Sequence, residues 1–549
     1  MFMQNNAEKE SMFWAEQLAR QVIERAKREG KTAVIKCGQT PSGGKHIGNL
    51  NDVIRAYFVY KLVNEKGCGA RFSHSSDDRD PLKDVPKRLA DLDGNWHDSE
   101  KFPEMKNFLG RPLCRVPDPF GCCGSWSEHF TKVWEKGLNA LGMFPEIVSE
   151  DRYYKEGKFD PYIIKVFENI EEVGKIISTF QETKGEKYIP FDAICPKCGM
   201  LSNISSFDLE KRTVHFTCGG KAIKKKHTEG CGFEGDVSIR EGKLQWRFEW
   251  PAQWGIEQAT FEPFGKDHYE GSWKSGQIIA RKIYGIEPPI PYVYEFFLVD
   301  GQKMSASVGN VFIVQDMLKI IEPEVLAYFY TKRPGKQRDL SLKNIQLMAD
   351  EFDELEKKYF NPVKDEKDME NIKAAYKLSV IKVSDKQPLR IPYAYASMVA
   401  QIVPAEKMLE KAIGLLRSSG HVKGELSDED EKRIGARLKL SKYWAENYAA
   451  EEYKIRVLDK APEEAVKKMS DGQRQSLGLL AKELQKKDLS EDELHNIFFD
   501  AAKKSGITSK EFFSAVYLTL LGKPAGPRLS SFVLAIGQEE VAKRLRQMK

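Results

Sequence analysis

The stretch G-Q-T-P-S-G-G-K-H-I-G-N, residues 38–49, decides how this chain is expected to fold. Residues 32–37, T-A-V-I-K-C, precede it and predict a short buried strand, because they are largely apolar or β-branched. Apolar residues then recur at helical spacing from Leu50 to Leu62, which predicts a helix opening near His46. A strand, a glycine-rich turn and a helix N-terminus together form an anion site, because free backbone N–H groups and the helix dipole point at the turn.

This turn is neither of the two common nucleotide-binding loops. It lacks the G-x-G-x-x-G pattern, and Lys45 is followed by histidine rather than by the serine or threonine of a Walker A loop. Taken alone, the stretch is equally compatible with a plain strand-to-helix turn.

A second stretch, K-M-S-A-S at residues 303–307, follows a polar turn at 300–302 and precedes Gly309 and Asn310. A loop with one lysine and two serines suits a charged, flexible ligand such as a triphosphate. For an isolated K-M-S, a solvated surface loop would be the better interpretation.

Together the two stretches, His-Ile-Gly-Asn first and Lys-Met-Ser second, resemble the paired signatures of class I aminoacyl-tRNA synthetases. Within that class, T-P-S-G-x-x-H-x-G-N and K-M-S-x-S-x-G-N resemble the class I lysyl-tRNA synthetases, and the resemblance covers nearly the whole chain. It implies an α/β protein with a Rossmann-type parallel-sheet catalytic domain, a zinc-bearing insertion, and an all-α C-terminal region that binds the anticodon.

The expected domains follow the same order along the chain. They are an N-terminal helix with the first half of the catalytic domain (1–80), a connective insertion with zinc sites (81–245), the second half of the catalytic domain with the K-M-S-A-S loop (246–335), a helical linker that contacts the tRNA stem (336–384), and a helical anticodon-binding domain (385–549).

Composition sets broader limits. At 549 residues the chain needs several cores, and 41% hydrophobic with 30% charged residues is ordinary for a soluble globular protein. The net charge of +5 permits an RNA partner without indicating one. No apolar run is long enough to predict a membrane span, and the nine cysteines predict reduced thiols with metal ligands among them. We therefore expect a cytoplasmic protein, more readily a monomer than an oligomer.

Two cysteine-containing segments predict metal sites. Asp118, Cys122, Cys123 and His129 supply four competent zinc ligands within twelve residues. The lysyl family resembles this segment with D-P-W-G-C-H and a later histidine, and those positions bind zinc there. Here Cys123 stands where that pattern has histidine, and since cysteine is also a good ligand we expect the site to persist.

The second segment begins with Cys195-Pro196-Lys197-Cys198, half of a zinc knuckle. Cys218 and Cys231 would complete a four-cysteine site, although His227 is an alternative fourth ligand in place of either. A basic run at 221–226 lies between them and is better explained as a solvated loop than as an RNA contact.

Polar and aromatic residues predict the amino-acid pocket. Asp77 and Asp78 follow a predicted strand, and carboxylates at the carboxyl end of a parallel strand lie where α/β sheets bind ligands. A polar loop with a helix cap is the alternative. Residues 246–254 are aromatic-rich and predict a strand that ends in a turn at Pro251. Their tryptophans belong either to the core or, as W-P-x-x-W in the lysyl family suggests, to a pocket that binds ammonium by cation–π attraction.

The resemblance implies ATP-dependent attachment of L-lysine to tRNA(Lys) through a lysyl-adenylate, with ATP, Mg²⁺ and Zn²⁺ as cofactors. The residues it implies for catalysis are His46, Asn49, Lys303, Ser305 and Ser307. Those implied for ATP binding are Pro41, Ser42, Gly43, His46, Gly48, Asn49, Asp267, His268, Lys303 and Met304. Those implied for the amino acid are Gly38, Thr40, Asp77, Asp78, Trp250, Trp254, His268 and Tyr294.

The chain also departs from the class pattern. Asn49 replaces the second histidine of the first signature, Ala306 stands where the class has a second lysine, and Val308 stands where the lysyl family commonly has lysine. In the helical C-terminal region, Lys523 and Arg528 are candidate phosphate contacts. Three alternatives stay open: a relative specific for glutamate, glutamine or arginine, a synthetase-like tRNA-binding protein without catalysis, and a zinc-stabilised nucleotidyltransferase acting on a small molecule.

Overall fold

The computed structural model describes residues 13–180, 188–223, 226–305, 308–332, 335–362, 368–418, 422, 424–486 and 489–546. The chain divides into two compact units. The first comprises Met1–Met317, Leu326–Leu340 and Lys367–Lys382, and the second comprises Leu318–Val325, Ser341–Glu366 and Val383–Lys549.

The strands all belong to the first unit in the part of the chain that the structure describes. In chain order they are β1 (Ala33–Gln39), β2 (Ala70–Ser76), β3 (Arg88–Ala90), β4 (Trp96–Asp98), β5 (Glu146–Ser149), β6 (Phe191–Ile194), β7 (Leu201–Asn203), β8 (Ser206–Asp208), β9 (Thr213–Thr217), β10 (Gly220–Ile223), β11 (Lys226–Glu229), β12 (Glu234–Ser238), β13 (Gly242–Leu244), β14 (Phe261–Gly265), β15 (Ile290–Tyr294), β16 (Phe297–Val299) and β17 (Arg338–Leu340).

A five-stranded parallel sheet forms the centre of this unit, in the order β15-β14-β1-β2-β5. β1 is almost fully buried, as expected for a parallel sheet that is covered on both faces. In its register with β2, Gly38 lies opposite Ser75 and Gln39 opposite Ser76, so the glycine-rich loop and the segment that begins at Asp77 leave the same edge of the sheet. The predicted parallel α/β core is confirmed.

Helices surround this sheet. The helices of the first unit are α1 (Trp14–Glu29), α2 (Leu50–Glu65), α3 (Trp126–Ala140), α4 (Glu150–Lys155), α5 (Asp160–Glu168), α6 (Ile170–Phe180), α7 (Trp246–Glu257), α8 (Lys274–Ile279), α9 (Val314–Met317), α10 (Pro323–Thr331) and a helix at Met369–Ser379; the first three residues of α10 fall in the second unit. π-helical turns at Tyr269–Trp273 and Ala280–Tyr284 flank α8.

The prediction of a strand over residues 246–254 is wrong, because this segment is the helix α7 with Pro251 inside it. Trp246, Trp250 and Trp254 are four residues apart, which is helical spacing, and neighbouring rings lie 5.3 and 5.1 Å apart. The aromatic content suggested a strand, and the proline a turn, but burial of this tryptophan row outweighs both local preferences.

Three other local predictions need correction. The helix after the glycine-rich loop begins at Leu50 rather than near His46, which instead forms an isolated bridge with Ile313. Tyr292, Tyr294 and Phe296 alternate in the sequence, which predicts one strand over residues 291–299. The structure instead has two strands there, β15, which joins the central sheet, and β16, which pairs with β17. Similarly, the sequence predicts one helix over residues 315–335, and the structure divides this segment into α9 and α10.

The insertion contains small antiparallel sheets instead of a large core. The orders are β13-β6-β7, β12-β9-β8 and β10-β11. Cys195 and Cys218 lie among its buried apolar residues, with Phe191, Val214 and Phe216 beside them. A core this thin is expected to need an additional cross-link.

The second unit is helical throughout its described residues, as expected for residues 385–549. Its remaining helices are Ile345–Phe360, Tyr393–Ile402, Met408–Ser418, Asp428–Asn447, Glu463–Lys468, Asp471–Glu483, Glu491–Lys504, Ser509–Leu521, Leu529–Ile536 and Gln538–Arg546. Capping boxes begin four of them, at Ser427, Ser470, Ser490 and Thr508.

A buried arginine ties the beginning of this unit together. Arg437 is 2% exposed, and it donates to Glu322 at 2.6 Å and to Asp353 at 3.0 Å.

Over the described residues, none of the helices combines the length and the apolar character that crossing a membrane requires.

Candidate functional site

A cavity of about 510 Å³ opens at the carboxyl edge of the central sheet. Its lining comes from the ends of β1, β14 and β15, the segment after β2, α7 and the loop that begins at Lys303. This is where ligands bind in open α/β sheets. A contiguous cavity of about 670 Å³ shares Gly38, Asn49, Asp52, Asp77, Trp246 and His268 with the first, and adds Thr40, Ser42, Lys45 and Ser305.

His46 lines the first cavity and depends on the glycine two residues later. A Cβ at Gly48 would lie 2.7 Å from the His46 ring and 3.2 Å from the Met304 methyl carbon, so only glycine leaves room for both side chains. Burial, together with the positive charges of Lys45 and Lys303, lowers the pKa of His46 to about 4. The imidazole is therefore neutral near pH 7 and can act as a hydrogen-bond donor.

Contacts with a later part of the chain hold this loop. The Ile47 N–H donates to the Phe312 carbonyl at 2.8 Å, and the Tyr330 hydroxyl donates to the Ile47 carbonyl at 2.6 Å. The first signature loop is thus fixed by residues that lie after the second one in the chain.

The second loop brings Lys303 and Met304 to the same cavity. The Lys303 ammonium lies 4.9 Å from the centre of the Phe296 ring, a cation–π contact. Asn310 closes the base of the loop, since it accepts from the Ser305 N–H at 2.8 Å and donates to the Lys303 carbonyl at 3.1 Å. Ala306 and Ser307 lie outside the described residues, and Val308 is 62% exposed.

Buried acidic side chains form the inner end of the cavity. Asp77 is 4% exposed, and its carboxylate accepts from the Gln253 amide nitrogen at 3.3 Å. The same nitrogen donates to Glu150, which is fully buried at the start of α4. Burial and the negative charges of Asp80 and Glu249 raise the pKa of Asp77 to about 7, against the opposing effect of nearby lysines. A cationic ligand would favour the ionised form of this carboxyl group.

A buried ion pair joins two neighbouring strands of the central sheet. Lys36 on β1 donates to Glu262 on β14 at 2.9 Å and to the Ser75 hydroxyl at 3.0 Å. Burial is the largest single influence and would lower the pKa of Lys36, but the charges of Glu262, Glu257 and Asp77 and the hydrogen bond to Glu262 together outweigh it, so the pKa is raised and the ammonium stays charged. The Trp254 indole N–H donates to the other Glu262 oxygen at 2.6 Å. Trp254 therefore holds Glu262, a residue that lines the first cavity, in place. Trp254 itself lines neither cavity.

The remaining predicted pocket residues divide into two groups. Trp250, Asp267, His268 and Tyr294 line the first cavity, and the Tyr294 hydroxyl donates to Asp52 at 2.5 Å. Asp78 instead accepts from the Ser149 hydroxyl at 2.5 Å and from the Asp151 N–H at 2.8 Å, which caps α4.

Side chains from other segments hold the loop that follows β1. Thr40 donates to Asp80 at 2.9 Å, and the Pro41 carbonyl accepts from the Trp126 indole at 3.1 Å. Ser42 lines the second cavity, while a Cβ at Gly43 would meet Pro86 at 2.9 Å. A Cβ at Gly38 would lie 2.2 Å from the Ser75 hydroxyl, so glycine is required there.

The four predicted cysteines of the insertion come together. The sulfurs of Cys195 and Cys231 are 3.6 Å apart, and those of Cys198 and Cys218 are 3.5 Å apart. A tetrahedral zinc–thiolate site places sulfurs about 3.8 Å apart. All four ligand atoms lie within 4.8 Å of one another, so the donor set fits zinc. The side chain of His227 lies outside the described part of the structure.

Asp118, Cys122, Cys123 and His129 also form one cluster, with ligand atoms within 4.8 Å. The His129 Nδ1 atom faces Cys122 at 3.3 Å and Asp118 at 3.1 Å, while Nε2 lies 3.0 Å from the Ala90 carbonyl. A proton on Nε2 satisfies that carbonyl and leaves Nδ1 free to coordinate, the usual arrangement around a metal-binding histidine. This donor set fits zinc as well.

The two candidate phosphate contacts in the second unit already have protein partners. The Lys523 ammonium donates to the carbonyls of Lys454 at 2.8 Å and Glu452 at 3.1 Å, and Arg528 lies 3.6 Å from Glu491. These contacts favour structural roles for both residues.

Sequence reasoning missed several residues of the cavity. The missed lining residues with polar side chains include Lys36, Asp52, Gln253 and Glu262. One signal was available, because a lysine inside an otherwise apolar buried strand needs a buried partner.

A parallel sheet that carries these two loops around one cavity defines the catalytic domain of a class I aminoacyl-tRNA synthetase. Residues 12–382 match the family described as tRNA synthetases class I (K), and residues 433–549 match the family described as anticodon binding domain.

The match to curated relatives extends over nearly the whole length of the chain, as two of them show. The lysine–tRNA ligase of Natronomonas pharaonis is 36% identical over 97% of this chain and 97% of its own length. That of Pyrococcus horikoshii is 33% identical over 97% of this chain and 99% of its own length. This chain belongs to the class I lysyl-tRNA synthetases.

Proposed function

We propose that this chain activates L-lysine with ATP and transfers it to tRNA(Lys), using the cavity at the carboxyl edge of the central sheet. The observation that carries the proposal is that His46 of the first signature loop and Lys303 of the second line one cavity with a buried acidic inner end. Phosphate-binding groups and ammonium-binding groups are thus available in one cavity.

In the first step the lysine carboxylate attacks the α-phosphorus of ATP, an acyl–phosphate bond forms, and pyrophosphate leaves. In the second step a ribose hydroxyl at the tRNA 3′ end attacks the carbonyl carbon of the adenylate, and AMP leaves. Neither step needs a protein nucleophile, so the protein acts by positioning and by charge stabilisation.

The two loops bind the triphosphate in this proposal. Neutral His46 donates a hydrogen bond to phosphate oxygens, and Asn49 contributes a further polar contact in place of the second histidine of the class. Lys303 leaves the Phe296 ring and neutralises phosphate charge as its loop closes. Mg²⁺ bound with ATP would supply further charge neutralisation. Ser305 and Ser307 would contact the same phosphates.

Residues around the loops would hold the nucleoside and the amino acid. Met304 and Gly48 let the His46 loop approach the phosphates, and Asp267 would bind ribose hydroxyls. Asp77 accepts a hydrogen bond from an ammonium group of the substrate lysine, while Trp250 and Tyr294 pack against the methylene groups of its side chain. The remaining contacts assigned to ATP or lysine are Gly38, Thr40, Pro41, Ser42, Gly43 and His268.

In this proposal the protein also binds two zinc ions. One is held by Cys195, Cys198, Cys218 and Cys231, and the other by Asp118, Cys122, Cys123 and His129. Both donor sets are supported by their geometry. Zinc at either position would act as a cross-link, since neither cluster is among the residues that line the cavity.

The test is charging of total tRNA with each of the twenty amino acids, with ATP, Mg²⁺ and Zn²⁺ present. We expect attachment of lysine alone. Charging with a different amino acid would overturn the pocket assignment, whereas tRNA binding without any charging would overturn the catalytic assignment.

A further inference from the structure

We propose that Gln253 determines specificity for lysine: its side-chain oxygen, together with Asp77, accepts hydrogen bonds from the substrate's ε-ammonium. This inference rests on the proposed function and names the group that would select the amino-acid side chain.

The observation behind it is an unpaired buried acceptor. Gln253 lies on α7, lines the first cavity and is 1% exposed. Its amide nitrogen donates to Asp77 at 3.3 Å and to Glu150, but its Oε1 atom has no hydrogen-bond partner among the described residues. A buried polar atom without a partner costs stability, so such an atom beside a cavity indicates a ligand that supplies the missing donor.

The orientation of the amide is fixed by its neighbours. A cationic ligand favours the ionised forms of Asp77 and Glu150, and ionised carboxylates only accept hydrogen bonds, so in that state the NH₂ group of Gln253 satisfies them and its oxygen does not. The oxygen is thereby kept as an acceptor. A ligand at this end of the cavity meets two acceptors, Gln253 and Asp77, and therefore must bring donors.

The negative charges around Gln253 favour a cationic ligand. Four carboxylates repel one another around this end of the cavity, those of Asp77, Asp80, Glu150 and Glu249, and the ammonium groups of Lys36 and Lys243 offset them in part. Lys36 is already paired with Glu262 at 2.9 Å. Lys243 is already bound to two of the four carboxylates, Asp80 at 2.5 Å and Glu249 at 2.8 Å. An additional positive charge is favourable here, and a carboxylate or neutral apolar group is not.

The burial of the lining residues indicates which of the two ammonium groups of lysine contacts Gln253. The reacting carboxylate and its α-ammonium must lie near His46 and Lys303, where the cavity is lined by exposed residues such as Phe296, which is 45% exposed. Gln253 and Asp77 are at most 4% exposed and are therefore the more deeply buried part of the lining. A side chain of four methylenes that enters from the loops reaches inward with its ε-ammonium first.

The experiment compares L-lysine with L-norleucine, which has the same carbon chain and α-amino group but no ε-ammonium. The Gln253→Met variant keeps the length of the side chain and removes the acceptor. We measure kcat/KM for each amino acid in ATP–pyrophosphate exchange with tRNA present, and KM for ATP in parallel. The control is Gln258→Met, at the exposed C-terminal end of the same helix and outside both cavities.

In Gln253→Met we expect kcat/KM for lysine to fall about 10- to 100-fold, while that for norleucine stays within roughly threefold. KM for ATP and both values in Gln258→Met should be unchanged. Equal losses for lysine and norleucine would mean that Gln253 only supports the fold, and no loss for either would also overturn the proposal.

Thermal unfolding shows whether Gln253→Met is folded. A second variant tests the proposal if it is not. Gln253→Asn keeps the amide but withdraws it by one methylene, and the same selective loss for lysine is expected. If wild-type protein fails to activate lysine, the proposed function itself is wrong and this inference falls with it. If wild type activates lysine but the selectivity of folded variants is unchanged, this inference alone is wrong.

Discussion

The two clusters of metal-ligating side chains in the first unit are built in opposite ways. The four cysteines come from residues 195–231 and join turns of separate small sheets. The Asp118–His129 cluster comes from twelve consecutive residues and is built on one buried histidine. The first arrangement cross-links chain segments that have little other core, and the second fixes one loop on a well-packed helix.

Their surroundings differ accordingly. The cysteine cluster lies among β6 to β13, whereas α3, which carries His129, also positions Trp126 against the Pro41 carbonyl of the first signature loop. We infer that metal at the cysteine cluster mainly maintains the fold of the insertion, and that metal at the second cluster mainly maintains the shape of the catalytic loop.

The largest expected effect is that of Cys198→Ser. Structural zinc contributes apparent binding free energies of about 10–16 kcal/mol, so loss of one thiolate should release the ion and unfold residues 191–244 locally. Metal analysis should show one zinc fewer per chain, and amide hydrogen exchange over these residues should accelerate on the order of 100-fold or more. Cys68→Ser, outside both clusters, is the control, and unchanged zinc content and exchange in Cys198→Ser would contradict the assignment.

His129→Ala should have the next largest effect, but on activity more than on the fold. It removes a buried ligand and the hydrogen bond to the Ala90 carbonyl. We expect loss of the second metal and about a 10- to 100-fold fall in aminoacylation, with exchange in 191–244 unchanged. His215→Ala, which removes a partly exposed histidine from the insertion, is the matched control. Accelerated exchange across the insertion would show that the two clusters are not independent.

Asp118→Asn should have a smaller effect. The Asp118 carboxylate accepts from the N–H groups of Phe120, Cys122 and Cys123 at 2.7–3.0 Å, and an asparagine retains only one acceptor oxygen. We expect a loss of roughly 1–2 kcal/mol in stability, measured by denaturant unfolding, with weakened retention of the second metal. A variant as stable as wild type would mean that the loop does not depend on this carboxylate.

Cys123→His should have the smallest effect, since it installs the histidine that the lysyl family shows at this position. Imidazole is an equally competent zinc ligand, so metal content and activity should stay near wild type, with stability within about 0.5 kcal/mol. Loss of the second metal in this variant would show that the site requires a second thiolate.

Local patterns predicted the parts of the structure that depend on neighbouring residues. β1, β2 and both metal clusters follow from apolar runs and ligand spacing, whereas the parallel sheet was expected from the resemblance to the class I synthetases. The helix α7 did not, because its aromatic residues and Pro251 favour a strand and a turn locally, and helix formation depends on burying the tryptophan row against the rest of the unit.

The inner end of the cavity could not be predicted for a different reason. Lys36 and Glu262 are 226 positions apart in sequence, and Gln253 and Glu150 are 103 apart. No spacing rule connects such residues, since only the strand order of the sheet brings them together. Likewise, the break between β15 and β16 arises because β16 pairs with β17, which lies about forty residues later in the chain.

The tryptophan row of α7 also gives the protein an internal optical signal. Trp246 and Trp250 line the cavity, and the ring of His268 lies 6.1 and 5.8 Å from theirs. Indole emission responds to nearby polar and charged groups, so a ligand that enters beside these rings should change the intensity or colour of intrinsic fluorescence. Occupancy of the cavity could therefore be followed in unlabelled protein, on the timescale of a stopped-flow mixing experiment.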